Sequence, residues 1–113
     1  EHELSAFDGV GLTDLEMDAA LTHLLGFVDS VSRIASESRA AVADSGESDD
    51  QWWQRVGPLL DSVLDAERYP LAVRVGAAAG QTHHSAYDAA HAYDFGLARI
   101  LDGFAVLIDR RGP

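Results

Sequence analysis

The sequence predicts an all-α fold. Three observations support this class: apolar residues recur with a period near 3.6, residue pairs typical of helix starts occur twice, and no segment alternates as a strand would. A chain of 113 residues is long enough for one hydrophobic core and too short for two. We therefore expect a single all-α domain over residues 1–113, with two long helices around a shorter central pair.

The longest apolar repeat lies near the C-terminus and predicts a helix from Ser85 to Arg111. Its apolar positions span an arc of roughly 160°, whereas about 100° is enough for packing on one neighbour. The extra width predicts a second packing partner, which another subunit would supply. Gly96 and Gly103 lie two turns apart on one flank of this arc. Because glycine costs a helix interior about 1 kcal/mol, the pair predicts close approach of another backbone, the alternative being an ordinary core helix that tolerates two glycines.

A second long helix is predicted from Asp14 to Ala43. Thr13 and Glu16 have the spacing of a capping box, which marks the start of this helix. Its apolar residues cover roughly 180°, so this helix is also expected to have two packing partners. Residues 1–10 before it are ambiguous, and the tail of a helix ending near Gly9 is one interpretation.

The central pair of helices follows an acidic, solvated loop at residues 44–50. Ser48 and Gln51 form a second capping-box pair. Gly57 and Pro58 fall in the middle of the helix that follows, so we expect a kink there or two short helices that meet at Gly57. Pro70 starts the next short helix, which is expected to end at Gly80.

Charge and composition argue against several classes of function. A formal net charge of −11 repels phosphate groups, so this chain by itself is not expected to bind nucleic acid or an anionic membrane. The absence of cysteine excludes disulfides and thiolate chemistry. No apolar run approaches the roughly 20 residues of a membrane span, so we expect a cytoplasmic protein with no membrane partner. Because the chain opens on Glu1, we also expect it to be a piece of a longer protein.

The search for catalytic and metal-binding motifs is mostly negative. His83, His84 and His91 favour a metal interpretation, since His84, Tyr87 and His91 would share one face of a helix. A strong helical metal site, however, places its ligands on two facing helices, and only one such helix is present. No phosphate-binding loop or nucleophile motif occurs. We therefore expect no enzymatic activity, no cofactor and no metal site.

A lone histidine and a tryptophan pair are the remaining candidates. His23 lies on the edge of an apolar arc beside Phe27 and Ile34, which fits a small-molecule pocket and a hydrogen-bonded core histidine equally well. Trp52 and Trp53 point about 100° apart on a helix. One of them is expected in the core and the other at a cavity or a partner, with both in the core as the alternative.

Four landmarks resemble, in order and in spacing, the C-terminal domain of tetracycline-repressor-like (TetR/AcrR) transcription regulators. They are GLTDLEMD at 11–18, the pair Trp52-Trp53, ERYP at 67–70 and YDFGLARILDG at 93–103. The resemblance covers nearly the whole chain and implies that it binds a small ligand and forms a homodimer. It implies that the two long helices pair with their symmetry mates as a four-helix bundle. It also implies that the parent protein binds operator DNA through an N-terminal helix-turn-helix, which is missing here.

The resemblance further implies which residues serve each role. The family's pocket uses the inner side of the first long helix and the helix after the acidic loop, which here points to His23, Phe27, Trp52, Val56 and Leu60. The dimer interface is expected at Leu24, Val28, Val31, Gly96, Ile100, Gly103 and Leu107. An apolar lining with one imidazole predicts a small apolar organic effector that carries a single hydrogen-bonding group.

The function expected from the sequence is small-molecule sensing and dimerisation within a TetR-family repressor, with ligand binding releasing the parent protein from DNA. A stand-alone helical protein that binds or sequesters a small molecule without binding DNA is the first alternative. A helical enzyme or metalloprotein is the second.

Overall fold

The computed structural model describes residues 1–85 and 87–112 and confirms the all-α class, since no strand occurs in these residues. The helices are α1 (His2–Ser5), α2 (Asp14–Ser45), α3 (Asp49–Val63), α4 (Pro70–His83) and α5 (Ala89–Asp109). The chain divides into two compact units. The terminal unit comprises Glu1–Ala35 and the chain from Ala89 onwards, and the central unit comprises Ser36–Asp88.

Both predicted capping boxes are formed. In α2, the backbone N–H of Glu16 donates to the Thr13 hydroxyl at 3.3 Å, and the N–H of Thr13 donates to the Glu16 carboxylate at 2.8 Å. In α3, Ser48 and Gln51 make the same reciprocal pair at 3.1 and 2.9 Å. Each pair satisfies two backbone donors that a helix start leaves without a partner, and therefore fixes where the helix begins.

The N-terminal segment differs from its interpretation as a helix tail reaching Gly9. α1 ends at Ser5, and turns lead from there to α2. Within these turns Gly9 and Gly11 have φ values of +72° and +106°. Residues that carry a β-carbon rarely adopt such φ values, so glycine at these two positions allows the turns before α2.

Of the two expectations for Gly57, that of two short helices meeting there is wrong, because α3 continues through Pro58 as a single helix. The proline removes one backbone hydrogen bond. The ring of Trp53, one turn earlier, packs 3.5 Å from the position of a β-carbon on Gly57. This contact supports the helix around the missing hydrogen bond.

The predicted limits of the last two helices also need correction. α4 does not end at Gly80 but continues to His83, and His84 takes the left-handed conformation with φ of 52°. α5 begins at Ala89 rather than Ser85 and ends at Asp109. The Ser85 hydroxyl donates to the backbone carbonyl of Tyr87 at 3.0 Å. His84 and Tyr87 therefore precede α5, and the helical face that they were predicted to share with His91 does not form.

Few apolar side chains are buried. Among the described residues Ala20, at 5% exposure, is the only buried hydrophobic residue. The central unit leaves Val63 75% and Leu71 64% exposed, and the terminal unit leaves Leu101 49% exposed. Apolar surface therefore remains open to a further partner in each unit. No helix within the described ranges is long and apolar enough to cross a membrane.

Candidate functional site

Phe27 makes an aromatic contact with α5 in the terminal unit. Its ring stacks on Tyr93 with centroids 6.0 Å apart and an interplanar angle of 22°. The same ring covers Gly96, where an added β-carbon would lie 2.5 Å from Phe27 Cε2. The neighbour at Gly96 is therefore an aromatic ring of the same chain and not the backbone that we expected, and this ring explains why the position is glycine.

Gly103 has a different environment from Gly96. A β-carbon added there would meet no atom within 4 Å. Gly103 lines an open depression of about 360 Å³ with His23, Arg99, Ile100 and Phe104. The structure therefore brings the predicted effector residue His23 together with two predicted interface residues, Ile100 and Gly103.

One face of α5 packs against the segment that connects α1 to α2. Phe104 meets Phe7 edge to face with ring centroids 6.1 Å apart, and Ile108 would lie 3.2 Å from a β-carbon on Gly11. One helical turn further along, Arg111 donates to the Gly11 carbonyl at 2.9 Å. Phe104 and Ile108 lie one turn apart on one face of α5, and Arg111 follows in the turn after the helix.

Arg111 also binds the Glu16 carboxylate through both terminal nitrogens of its guanidinium. This bidentate pair, together with the hydrogen bond from the Thr13 N–H, lowers the pKa of Glu16 from its usual 4.5 to about 2. Sequence analysis assigned Glu16 only to the helix cap and missed its pairing with Arg111. The two residues are 95 positions apart, and no spacing rule connects them.

Trp53 organises the central unit. Its ring lies against Gly57 of its own helix and covers Gly80 of α4 so closely that a β-carbon on Gly80 would overlap it. Beside this contact, α3 and α4 enclose a groove of about 380 Å³, which we call the α3–α4 groove. Its lining is mostly apolar and includes Leu60 and Leu64. Three polar side chains complete it: Gln54, Asp61 and Gln81.

Trp52 lies beside Trp53, with ring centroids 6.5 Å apart and an interplanar angle of 34°. It lines a depression of about 220 Å³ with residues from the end of α2, with Glu47 and with Tyr87. The two tryptophans therefore line separate depressions, as their 100° separation predicts. Glu47 is bound by Arg55 at 2.9 Å, and the hydrogen bonds from this guanidinium lower the pKa of the Glu47 carboxyl.

The five predicted effector residues lie in several places. His23, Trp52 and Leu60 each line a different depression. Phe27 packs on Gly96, and Val56 is half-buried in α3. Their joint role in one pocket stays a prediction.

Two histidines before α5 lie close to acidic residues. His83 Nδ1 lies 3.6 Å from the Asp88 carboxylate, and His84 Nδ1 lies 3.7 Å from that of Asp50. Among the residues that the structure describes, no group of three or more His, Asp or Glu side chains has the geometry to hold a metal ion.

Comparison with known proteins identifies the family. The model of the tetracyclin repressor-like C-terminal domain matches residues 1–108. The chain belongs to this family. This repressor-like domain is also 32% identical over 111 residues to the HTH-type transcriptional repressor DrrR1 of Streptomyces coeruleorubidus. The match covers 98% of the domain and 39% of that relative, so the domain spans about two fifths of the relative's length. No solved structure matches it significantly.

The family assignment confirms the resemblance drawn from the four sequence landmarks. It places the domain among transcription regulators, and the similar protein is a repressor. The family assignment does not favour the stand-alone binding protein.

Proposed function

We propose that this domain senses a small molecule and forms a homodimer within a transcriptional repressor, and that effector binding releases the repressor from operator DNA. The DNA-binding part would be an N-terminal helix-turn-helix outside this chain. One observation carries the dimerisation proposal: α5 presents an apolar stripe around Gly103, where a β-carbon would meet no atom within 4 Å.

Two stripes would form the dimer interface. On α5, Ile100, Gly103 and Leu107 are spaced i, i+3 and i+7, and Leu107 is 36% exposed. On α2, the corresponding stripe is Leu24, Val28 and Val31. Pairing these helices with their symmetry mates would make a four-helix bundle that buries on the order of 1,500 Å², the size of a stable interface. Gly96 would contribute at its edge, beside the ring of Phe27.

Gly103→Leu tests the dimer without a clash inside the chain. Because the space at Gly103 is open, leucine fits the isolated subunit and raises helix propensity, but it would obstruct close approach of a partner helix. We expect the dimer dissociation constant, measured by sedimentation equilibrium, to rise at least tenfold.

Gly26→Leu is the matched control for this test. Gly26 is also a helical glycine with no atom within 4 Å of an added β-carbon, and it lies on the side of α2 opposite Val28. This variant should dimerise as the unmodified chain does. A chain that is monomeric at micromolar concentration, or equal dissociation constants for both variants, would contradict the proposed interface.

The effector is proposed to be a small apolar organic molecule with one hydrogen-bonding group, bound near His23, Phe27, Trp52, Val56 and Leu60. A thermal-shift screen of aromatic and acyl compounds against the whole repressor would find candidates. His23→Ala should reduce the stabilisation that a true effector gives, whereas replacement of the exposed Leu15 should not. Stabilisation that survives both His23→Ala and Phe27→Leu unchanged would remove these residues from the site.

The domain alone should not bind DNA. Its net charge of −11 provides no excess of cations to displace counterions from a duplex. A fluorescence anisotropy titration with duplex DNA at physiological salt should show no binding, whereas the whole repressor should bind a selected operator. Sub-micromolar binding by the domain alone would mean that the DNA-reading surface lies within this chain.

A further inference from the structure

We propose that the α3–α4 groove binds a compact aromatic amine in its cationic form. The site lies within the central unit, and neither the family match nor the predicted effector site assigns it as a whole. The inference goes beyond the proposed function because binding in this groove needs neither a dimer nor operator DNA.

The shape of the groove fits a small ring system. Its volume of about 380 Å³ falls in the range of roughly 300–1,000 Å³ that is usual for small-molecule sites. Trp53 is the largest side chain of the lining, and its position is fixed because the ring fills the space above Gly80. On the α4 side, Gly76 lines the groove, and a β-carbon there would meet no atom within 4 Å. The lining therefore combines a fixed indole ring with an open stretch of α4, and the groove has the volume for one or two fused rings.

The charge of the groove selects a cation. Among the described residues that line it, Asp61 is the only charged one. Asp61 has no ion-pair or hydrogen-bond partner within residues 1–85 and 87–112, so its carboxylate is available to a ligand. An ammonium group beside this carboxylate and near the indole ring gains from both interactions. A carboxylate, sulfonate or phosphate ligand would instead meet Asp61 in a chain of net charge −11.

The two glutamines of the lining add hydrogen bonds that suit an amine. The Gln54 side-chain nitrogen donates to Asp50 at 3.2 Å, which leaves the Gln54 side-chain oxygen as an acceptor. Gln81 reaches the groove from α4 and brings a second side-chain oxygen. An ammonium group has three donors and no acceptor, so each of these acceptor oxygens along the groove suits it.

The test is an NMR titration of the isotopically labelled chain with 1-naphthylmethylamine, using 1-naphthaleneacetate as an anion of similar ring size. The amine should shift the indole N–H signal of Trp53 and the backbone amides of α3 and α4, with saturation at millimolar concentration or below. The indole signal of Trp52 should shift less than that of Trp53, because Trp52 lines another depression although the two rings are 6.5 Å apart. The anion should bind at least tenfold more weakly.

Two variants locate the site. Asp61→Asn removes the charge but keeps the shape of an exposed side chain, and it should weaken amine binding at least fivefold while leaving the affinity for the anion the same or higher. Gly76→Leu should fill the groove and abolish saturable shifts without unfolding α4, because the space beside Gly76 is open. Gly26→Leu, in the terminal unit, should leave amine binding unchanged.

Several results would overturn the proposal. One is equal affinity for the amine and the anion, and another is amine binding that survives Gly76→Leu. A third is that the amine does not bind while Gly76→Leu changes the sedimentation of the chain, because a second copy of the chain would then occupy the groove. Each result is independent of whether Gly103→Leu affects the dimer, so failure here is distinct from failure of the proposed function.

Discussion

In each of the two compact units, an aromatic ring of one helix covers a glycine of another helix. In the terminal unit the ring of Phe27 covers Gly96, and in the central unit the ring of Trp53 covers Gly80. The surroundings differ, since Phe27 is stacked on Tyr93 whereas Trp53 borders the α3–α4 groove. Few apolar residues of the described chain are buried. The stability of each unit therefore depends more on its aromatic–glycine contact than it would in a protein with a well-filled core.

Gly80→Ala should have the largest effect on stability. A β-carbon at this position would overlap the Trp53 ring, which is too rigid to move without losing its contact with Gly57. Overpacking of this kind costs about 1–3 kcal/mol, and the gain in helix propensity offsets about 1 kcal/mol. We expect a net loss of up to about 2 kcal/mol in the free energy of unfolding, measured by urea denaturation with tryptophan fluorescence.

Gly76→Ala is the matched control in the same helix. A β-carbon at Gly76 meets no atom within 4 Å, so alanine should add only helix propensity and stabilise the protein by up to about 1 kcal/mol. If both variants changed stability equally, the Trp53 contact would not be what requires glycine at position 80.

Gly96→Ala should have a smaller effect, about 1 kcal/mol of destabilisation. The added β-carbon would lie 2.5 Å from Phe27 Cε2, a less severe overlap than at Gly80. Combining it with Phe27→Leu should remove the overlap, so the two substitutions should be strongly non-additive in thermal unfolding. Gly103→Ala is the control in α5, and equal losses from Gly96→Ala and Gly103→Ala would contradict the contact.

These glycines also show how far the sequence alone could predict the fold. The capping boxes at Thr13 and Ser48 were predicted correctly because both partners lie within one turn of helix. Gly80 was assigned to a helix end because the sequence identifies a small residue but not what fills the space beside it. A glycine that ends a helix and a glycine covered by a distant ring give the same sequence signal.

The candidate sites were predictable to a similar extent. That Trp52 and Trp53 line different depressions follows from helix geometry, although their rings stay 6.5 Å apart. The α3–α4 groove was not predicted, because its lining depends on how α3 and α4 pack. Arg111 was missed for the same reason, since its partners Gly11 and Glu16 are distant in sequence.

Ion pairs extend the comparison between the two units. Glu16 and Arg111 tie the start of α2 to the end of the chain across 95 positions, whereas Glu47 and Arg55 are eight positions apart. Both pairs are bidentate hydrogen bonds between a guanidinium and a carboxylate. The main difference between the two pairs is therefore the length of the loop between the partners, which is much longer for Glu16 and Arg111.

The pH dependence of stability should reveal this difference, as the smallest of the expected effects. The pKa of Glu16 is lowered to about 2, so its pair contributes fully above the ordinary pKa of 4.5 and the contribution is lost as pH falls towards 2. Arg111→Gln should therefore lower the melting temperature at pH 7 and reduce its decline between pH 5 and 2. Arg55→Gln should change both less, because Glu47 and Arg55 stay close in the unfolded chain. Equal effects of the two variants would mean that the long-range pair does not hold the α1–α2 connection on α5.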